Sequence, residues 1–187
     1  SSNAVNVVKA IPDDKEILFL PDMFLGSYVA KVTGRKNMSI WAGECHVHAG
    51  ITPKDVKEKL NSLANAEFLI HPECSCTTPM MYDVANGSYN SNQVQILSTE
   101  GMMNHVKNSQ SNEFVVATET GILYRMKQQN PTKKFIPASE NAVCEYMKMI
   151  TLDKVYNSLL NETTIVTVPK ETADKARLAI ERMLEIS

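Results

Sequence analysis

The stretch Phe68-Leu69-Ile70-His71-Pro72-Glu73-Cys74 decides the fold class of this chain. Three apolar residues pass without a spacer into a polar loop, which is typical of a buried strand that ends at a functional edge. Six other short apolar runs recur with helical patterns between them: Ile17–Leu20, Met38–Trp41, Val94–Leu97, Phe114–Ala117, Lys134–Ile136 and Thr164–Val168. Because these runs are nearly continuous and do not alternate with polar residues, we predict an α/β fold with parallel strands covered by helices on both faces.

The helices are predicted from capping residues and from the spacing of apolar side chains. Thr52 is a good N-cap and Pro53 suits the first helical position, so a helix should begin there and end near Asn65. The same reasoning predicts three further helices: Gly121–Gln129, one that starts at Thr151, and Glu171–Ile186.

Composition and charge narrow the class of protein. The chain has 187 residues, 43% of them hydrophobic, which is enough for one sizeable core or two small ones. The formal net charge is −2 and the basic residues are scattered, which argues against a nucleic-acid partner. No apolar stretch approaches the roughly 20 residues of a membrane span, and no charged-then-apolar leader pattern is present. We therefore predict a cytoplasmic protein that does not bind membranes.

The four cysteines are Cys45, Cys74, Cys76 and Cys144. They are too few and too widely spaced for a disulfide-stapled scaffold, so we predict reduced thiols. No C-x-x-C pair is present, and any bound metal would need ligands from distant parts of the chain. From the residues alone, a buried structural thiol remains an open alternative for Cys45 and Cys144.

Polar residues follow the end of nearly every predicted strand, and this is the most informative pattern in the chain. Ligands of parallel α/β sheets bind beyond the carboxyl ends of the strands, so the chemistry should lie in these loops. The loops are Pro21-Asp22, Gly43-Glu44-Cys45-His46, His71-Pro72-Glu73-Cys74, Ser98-Thr99-Glu100, Thr118-Glu119-Thr120, and the segment that reaches Asn141 and Cys144.

Two of these loops suggest a specific chemistry. A histidine near a carboxylate, as in His71 and Glu73, suits proton transfer, and a strand-end salt bridge is the ordinary alternative. The proline between them is expected to keep the loop extended, with both side chains on one side. Ser98 and Thr99 suit a carboxylate or phosphate at a helix start, or they act as a cap and nothing more.

A weak internal repeat divides the chain. Met38–Cys45 and Phe135–Cys144 each run from a last strand through a short loop to a cysteine. Four predicted strands lie between Cys45 and Cys144, and only two precede Cys45, so we interpret the first unit as truncated on its N-terminal side. The opening Ser1-Ser2-Asn3-Ala4 is either a cloning remnant or native sequence.

Several ordered motifs together resemble one known family. They are Trp41-Ala42-Gly43-Glu44-Cys45-His46-Val47-His48, His71-Pro72-Glu73-Cys74, Ser98-Thr99, Ala117-Thr118-Glu119-Thr120-Gly121 and Cys144-Glu145-Tyr146-Met147-Lys148-Met149-Ile150-Thr151. In order and spacing, and across essentially the whole chain, they resemble quinolinate synthase, an iron–sulfur enzyme of NAD biosynthesis. The opening residues also resemble the family's Thr-Ser-Ser-Asn-Ala segment, which favours a native origin for them.

The resemblance implies a protein of three pseudo-symmetric units, each a three-layer α/β/α sandwich with a parallel sheet. Each unit gives one cysteine to a central four-iron four-sulfur cluster, and two of these cysteines map onto Cys45 and Cys144. The third belongs to a first unit that lies outside this chain. We accordingly divide the chain into the remainder of the second unit (1–65), the third unit (66–163), and a C-terminal strand and helix (164–187).

The family's reaction, as the resemblance implies it, condenses iminoaspartate with dihydroxyacetone phosphate and releases phosphate and water to give quinolinate. The three-cysteine cluster leaves one iron without a protein ligand, and this iron acts as a Lewis acid in the dehydration. The expected functional partner is the aspartate-oxidising enzyme that supplies iminoaspartate. Alone, this chain is expected to be inactive.

The resemblance also assigns roles to individual residues. His46, His71 and Glu73 are the expected catalytic residues, and Ser2, Asn3, Ser98 and Thr99 are the expected substrate-binding residues. Cys74 and Cys76 are interpreted as non-ligands. The role of His48 is left open.

Two other functions compete with this interpretation. A zinc-dependent hydrolase would use Cys45, His46, His71 and Cys74 as ligands. A Rossmann-like binding module without chemistry would leave the polar residues at the strand ends unconverged.

Overall fold

The structure is a computed structural model, and it describes residues 1–186 of the chain. Two compact units are present, Ser1–Val143 and Cys144–Ser187, and each is considered by itself. The first unit contains all the strands of the described residues, and all of them run parallel to their neighbours. The predicted α/β class with parallel sheets is therefore confirmed.

The first unit contains two sheets. A two-stranded sheet pairs β1 with β2, and a four-stranded sheet has the order β4-β3-β5-β6. The strands are β1 Ile17–Phe19, β2 Met38–Ile40, β3 Glu67–Ile70, β4 Val94–Ile96, β5 Glu113–Ala117 and β6 Lys134–Pro137. Two strands precede Cys45 and four lie between Cys45 and Cys144, as the sequence predicted.

Helices connect consecutive strands of the first unit. They are α1 Ala4–Ala10, α2 Met23–Thr33, α3 His46–Ala49, α4 Pro53–Ser62, α5 Thr77–Ala85, α6 Thr99–Asn108 and α7 Ile122–Gln129. Thr52 caps α4 through a reciprocal capping box with Asp55, and Pro53 is its first residue, as predicted. The helix ends at Ser62, slightly earlier than the predicted Asn65.

The larger sheet has a core on each face because its central strands are apolar throughout. Phe68, Leu69 and Ile70 are all buried, although successive strand residues point to opposite faces. One face packs against helices through the cluster Leu69, Met102, Met103, Val106, Phe114, Val116 and Met126. Fully burying side chains of this size is worth about 1.5–3 kcal/mol each, so this cluster contributes strongly to the stability of the first unit. The smaller sheet has its own core, built from Val8, Ile17, Leu25 and Val29.

The second unit is helical. It consists of α8 Glu145–Lys148, α9 Leu152–Asn161 and α10 Lys170–Ile186, and Thr151 caps α9 by accepting the Lys154 N–H. The prediction of a strand at Thr164–Val168 is wrong, because residues 163–169 form neither strand nor helix. A strand needs a neighbour to bond its backbone, and none pairs with this segment, in which Ile165 and Val166 are 85% and 84% exposed.

No helix among residues 1–186 combines the length and the apolar character that crossing a membrane requires. The division at 1–65, 66–163 and 164–187 remains a prediction.

Candidate active site

The candidate site lies at the carboxyl ends of β3 and β5, the two central strands of the larger sheet. Ile70 pairs with Ala117, so His71 and Thr118 are the next residues on neighbouring strands. The chain crosses from β3 to β4 on one side of the sheet and continues to β5 on the other. Such a change of direction opens a crevice at the strand ends, where parallel α/β proteins bind their ligands.

A tight turn, and not the predicted extended loop, brings His71 and Glu73 together. The Cys74 N–H donates to the His71 carbonyl at 2.9 Å, and Pro72 occupies the second position of this turn, where its fixed φ is favourable. The Thr77 hydroxyl donates to the same carbonyl at 2.8 Å. His71 Nδ1 lies 4.0 Å from Glu73 Oε2, so the predicted histidine–carboxylate pair is present.

His48 completes the group, and the sequence left its role open. Its Nδ1 lies 3.3 Å from Glu73 Oε2, and its Nε2 lies 2.8 Å from the Thr118 hydroxyl. Its ring stacks on the His71 ring, with centroids 4.3 Å apart and planes within 8°. Cys45 is the N-cap of α3, and His48 follows it by three residues. Residues three apart lie on the same side of a helix, so this spacing was the sequence signal that Cys45 and His48 share one side of α3.

Burial and proximity shift the pKa values of this group. The pKa of His71 falls from 6.5 to about 4, chiefly because the ring is buried and secondly because His48 is its neighbour, while Glu73 opposes the change. The pKa of Glu73 is lowered mainly by the interaction with His48, against the opposing effect of burial. At neutral pH the site therefore holds a neutral His71 beside an ionised Glu73. Because the Glu73 N–H donates to His71 Nδ1 at 3.3 Å, the neutral ring carries its proton on Nε2.

The group is compact enough to be tested as a metal site. Donor atoms of His48, His71 and Glu73 lie within 4.8 Å of one another. A histidine-bound metal sits in the plane of the ring about 2 Å from the nitrogen, and two parallel stacked rings have no such point in common. The arrangement therefore fits proton transfer better than shared coordination.

The cysteines differ from the prediction of four reduced thiols. Cys74 and Cys76 form a disulfide, whereas Cys45 and Cys144 are not disulfide-bonded and are half-buried. The two paired residues are separated by only one position in the turn before α5, which brings their sulfurs together. A disulfide-bonded Cys74 has no thiolate to offer, and this argues against the zinc set that included it.

Cys45 and Cys144 have the same local structure, which confirms the internal repeat. Each is the N-cap of a four-residue helix, with φ, ψ of −84°, 115° at Cys45 and −88°, 107° at Cys144. The loop before Cys45 is fastened to the end of β1: buried Asp22 accepts the Cys45 N–H at 3.2 Å, and the Gly43 carbonyl accepts the Met23 N–H at 2.8 Å. This backbone is therefore held in place before any ligand binds.

The other predicted residues lie around the same sheet edge or near it. Ser98 caps α6 by accepting the Gly101 N–H at 3.2 Å, and it follows Leu97, whose N–H donates to the Ile70 carbonyl next to His71. Thr99 is exposed at the first position of α6. His46 is exposed and lines a separate cavity of about 130 Å³ together with Asn141 on the loop after β6.

Ser2 and Asn3 lie at the start of α1. Ser2 is exposed, and Asn3 is the half-buried N-cap residue of this helix. Roles of these two residues in substrate binding remain predictions.

Comparison with known proteins gives a consistent answer. Residues 1–185 match the family model described as Quinolinate synthetase A protein. The chain is 48% identical over 187 residues to a quinolinate synthase of Pyrobaculum aerophilum, 50% over 186 residues to one of Thermus thermophilus, and 45% over 186 residues to one of a Mycobacterium species. Each match covers 100% of this chain but only 60%, 57% and 55% of the respective relative.

The parallel sheet and its polar switch point define an α/β protein with an enzyme-like site at the carboxyl edge. The same chain places Cys45 and Cys144 each at the N-cap of a short helix. The chain belongs to the quinolinate synthetase A family. It spans somewhat more than half the length of the relatives named above.

Proposed function

We propose that this chain forms the second and third parts of a quinolinate synthase, which condenses iminoaspartate with dihydroxyacetone phosphate and releases phosphate and water. The observation that carries the proposal is the convergence of His71, Glu73 and His48 at the sheet's switch point. Family membership over essentially the whole chain supports it, as do the names of the relatives. A binding module without chemistry would not need such a buried, electrostatically coupled group.

The ionised Glu73 is suited to accept protons during condensation. Condensation and dehydration require several proton transfers, and this carboxylate lies beside two imidazoles, 3.3 Å from His48 Nδ1 and 4.0 Å from His71 Nδ1. His71, neutral with its proton on Nε2, is suited to donate a hydrogen bond to a substrate oxygen. His46, on the cavity beside the loop of Asn141, is the third proposed catalytic residue.

Substrate anions are proposed to bind at the neighbouring strand end and at the chain's first residues. Ser98 and Thr99 present hydroxyls at the start of α6, a ten-residue helix whose first N–H groups favour anions. Ser2 and Asn3 are proposed to serve a second anionic group. The substrates carry two carboxylates and one phosphate between them, so more than one such site is needed.

Cys45 and Cys144 are the proposed thiolate ligands of a four-iron four-sulfur cluster. The structure offers a test of fit: both are outside the disulfide, half-buried and nearly identical in backbone conformation, whereas Cys74 and Cys76 are bonded to each other. These residues fit a cluster that takes one thiolate from each repeated unit. When bound, such a cluster supplies a Lewis-acidic iron that eases loss of a hydroxyl group.

The proposal places the third thiolate outside this chain, which is why the isolated chain is expected to make no quinolinate. It also includes functional coupling to an aspartate-oxidising enzyme, because imines hydrolyse in water and iminoaspartate must be used soon after it forms. A cytoplasmic location remains part of the same proposal.

Iron and sulfide analysis of cysteine variants in the full-length protein tests the ligand set. After anaerobic reconstitution, Cys45→Ser and Cys144→Ser should each lose the cluster, because each removes one of three thiolates. Cys74→Ser is the matched control, since it changes a cysteine that is not a proposed ligand, and it should load normally. Full iron and sulfide content in Cys45→Ser would overturn the assignment.

A further inference from the structure

His48 is held more rigidly than a solvent-facing histidine on a short helix. It is only 9% exposed, and its Nε2 is 2.8 Å from the Thr118 hydroxyl, directly after β5. Its backbone carbonyl accepts N–H groups from Ile51 at 3.2 Å and from Ser75 at 3.3 Å. The ring is therefore fixed both by its own helix and by the strand next to β3.

This anchoring determines which nitrogen of His48 faces the carboxylate. If the Thr118 hydroxyl donates to Nε2, the proton of the His48 ring is on Nδ1, directed to the side of Glu73 Oε2 at 3.3 Å. The opposite tautomer would point a lone pair at an ionised carboxylate, which is repulsive. The alignment of the N–H with the oxygen is poor, and Nδ1 has no well-formed hydrogen bond in the described residues. A buried polar atom in this condition is costly unless it serves a purpose.

The stacked rings have a further consequence for His71. Two imidazoles with centroids 4.3 Å apart are unfavourable when both are cationic, since burial removes the water that would screen them. His48 lies between Thr118 and Glu73, so its ring is held beside the carboxylate from both sides. His71 Nδ1 already accepts the Glu73 N–H.

We propose that His48 is a positioning residue that holds the Glu73 carboxylate beside His71. The inference rests on the proposed function in one respect, namely that His71 and Glu73 are the groups that meet substrate. It gives His48 a role of its own, because this residue touches no reacting atom and acts through its two neighbours. Among the described residues, Glu73 is the titratable group that lies beside both rings, 3.3 Å from His48 Nδ1 and 4.0 Å from His71 Nδ1.

A nuclear magnetic resonance titration of the isotope-labelled chain tests this role, with His48→Phe and His48→Asn as the decisive pair. His48→Phe keeps a stacked ring without nitrogens, so the pKa of both Glu73 and His71 should rise, the latter from about 4 towards the ordinary 6.5. His48→Asn restores an N–H near Glu73 but carries no charge. In this variant the pKa of Glu73 should return towards the wild-type value, while that of His71 stays raised.

Two further variants exclude trivial explanations. Thr118→Val removes the anchor without altering His48, and it should move the pKa of Glu73 and His71 in the same direction by less. If His48→Phe does not fold, the pKa values measured in Thr118→Val still test the role of His48. His105→Phe alters a histidine paired with Glu67 at the opposite end of β3, and it should leave both pKa values unchanged. Unchanged titration of His71 and Glu73 in the folded His48 and Thr118 variants would overturn the inference.

This experiment separates the inference from the proposed function because it requires no turnover. Shifts of the expected sign in a protein whose full-length form makes no quinolinate would support His48 and refute the function. In an active full-length enzyme, His48→Phe should move the acid limb of the kcat profile to higher pH, and a purely structural role would lower kcat without moving that limb.

Discussion

Strand β3 carries a histidine–carboxylate pair at each end, and the two pairs differ in every property that matters for function. At the amino end, Glu67 Oε2 lies 2.5 Å from His105 Nε2, and Glu67 Oε1 accepts the Ser109 hydroxyl at 2.5 Å. Both carboxylate oxygens are thus engaged, and both partners lie on or just after α6. This pair fastens the helix to the start of the strand.

At the carboxyl end the same residue types are less completely satisfied. Glu73 lies 3.3 Å from His48 and 4.0 Å from His71, and neither is a well-aligned hydrogen bond. The histidine rings are buried and stacked, and the pKa of His71 is lowered to about 4. The comparison teaches that a saturated pair supports the fold, whereas a buried and unsaturated pair at a switch point is available for chemistry.

The largest expected difference between the two pairs is in catalytic activity. In the full-length enzyme, Glu73→Gln should lower quinolinate formation by about 100-fold or more, because it removes the proposed proton acceptor. Glu67→Gln is the matched change at the other end of β3, and it should retain activity with only a small loss of stability. Iron and sulfide content should stay at the wild-type level in both. Equal activity of the two variants would assign Glu73 to structure.

An intermediate effect concerns stability in acid. Between pH 6.5 and 4 the unfolded chain protonates His71 while the folded chain does not, so stability falls as the pH is lowered through this window. The loss due to His71 should reach about 3 kcal/mol between pH 7 and pH 4. The lowered pKa of Glu73 adds a further loss at still lower pH, since folded Glu73 resists a proton that the unfolded chain accepts.

Urea unfolding of the chain at several pH values measures this effect. His71→Asn should flatten the profile between pH 6.5 and 4. A slope that persists in His71→Asn would show that other groups cause the acid sensitivity.

The smallest expected effect is on stability, at the loop between the smaller sheet and Cys45. A Cβ added at Gly43 would overlap the Pro21 carbonyl oxygen and come within 2.9 Å of the Trp41 ring, so the loop before Cys45 would have to move. Gly43→Ala should therefore cost about 1–3 kcal/mol, as overpacked sites do. Gly101→Ala is the control within α6, where the nearest atom would lie 3.3 Å away and alanine is the better helix former. Thermal unfolding of both variants checks the ranking, and an equal loss would contradict it.

Much of the fold was predictable because its signals are local. The apolar run Phe68–Ile70 identified a strand buried on both faces, and Thr52-Pro53 identified a helix start whose capping box the structure contains. The repeat that ends in Cys45 and Cys144 was also readable, because a strand, a loop and a capping position follow one another along the chain. The prediction of a strand at Thr164–Val168 was wrong, because β-branched residues favour a strand only where a neighbouring strand is present.

Residue order and local chemistry thus determined the α/β class, the polar strand ends and the pairing of His71 with Glu73. The other features of the candidate site depend on the tertiary structure. The contact of His48 with Thr118, 70 residues away in sequence, exists only because β3 and β5 are neighbours and α3 packs beside them. The lowered pKa of His71 depends likewise on burial and on the neighbouring His48 ring. Distance, desolvation and ring stacking arise between segments that meet in space, and no local pattern of residues records them.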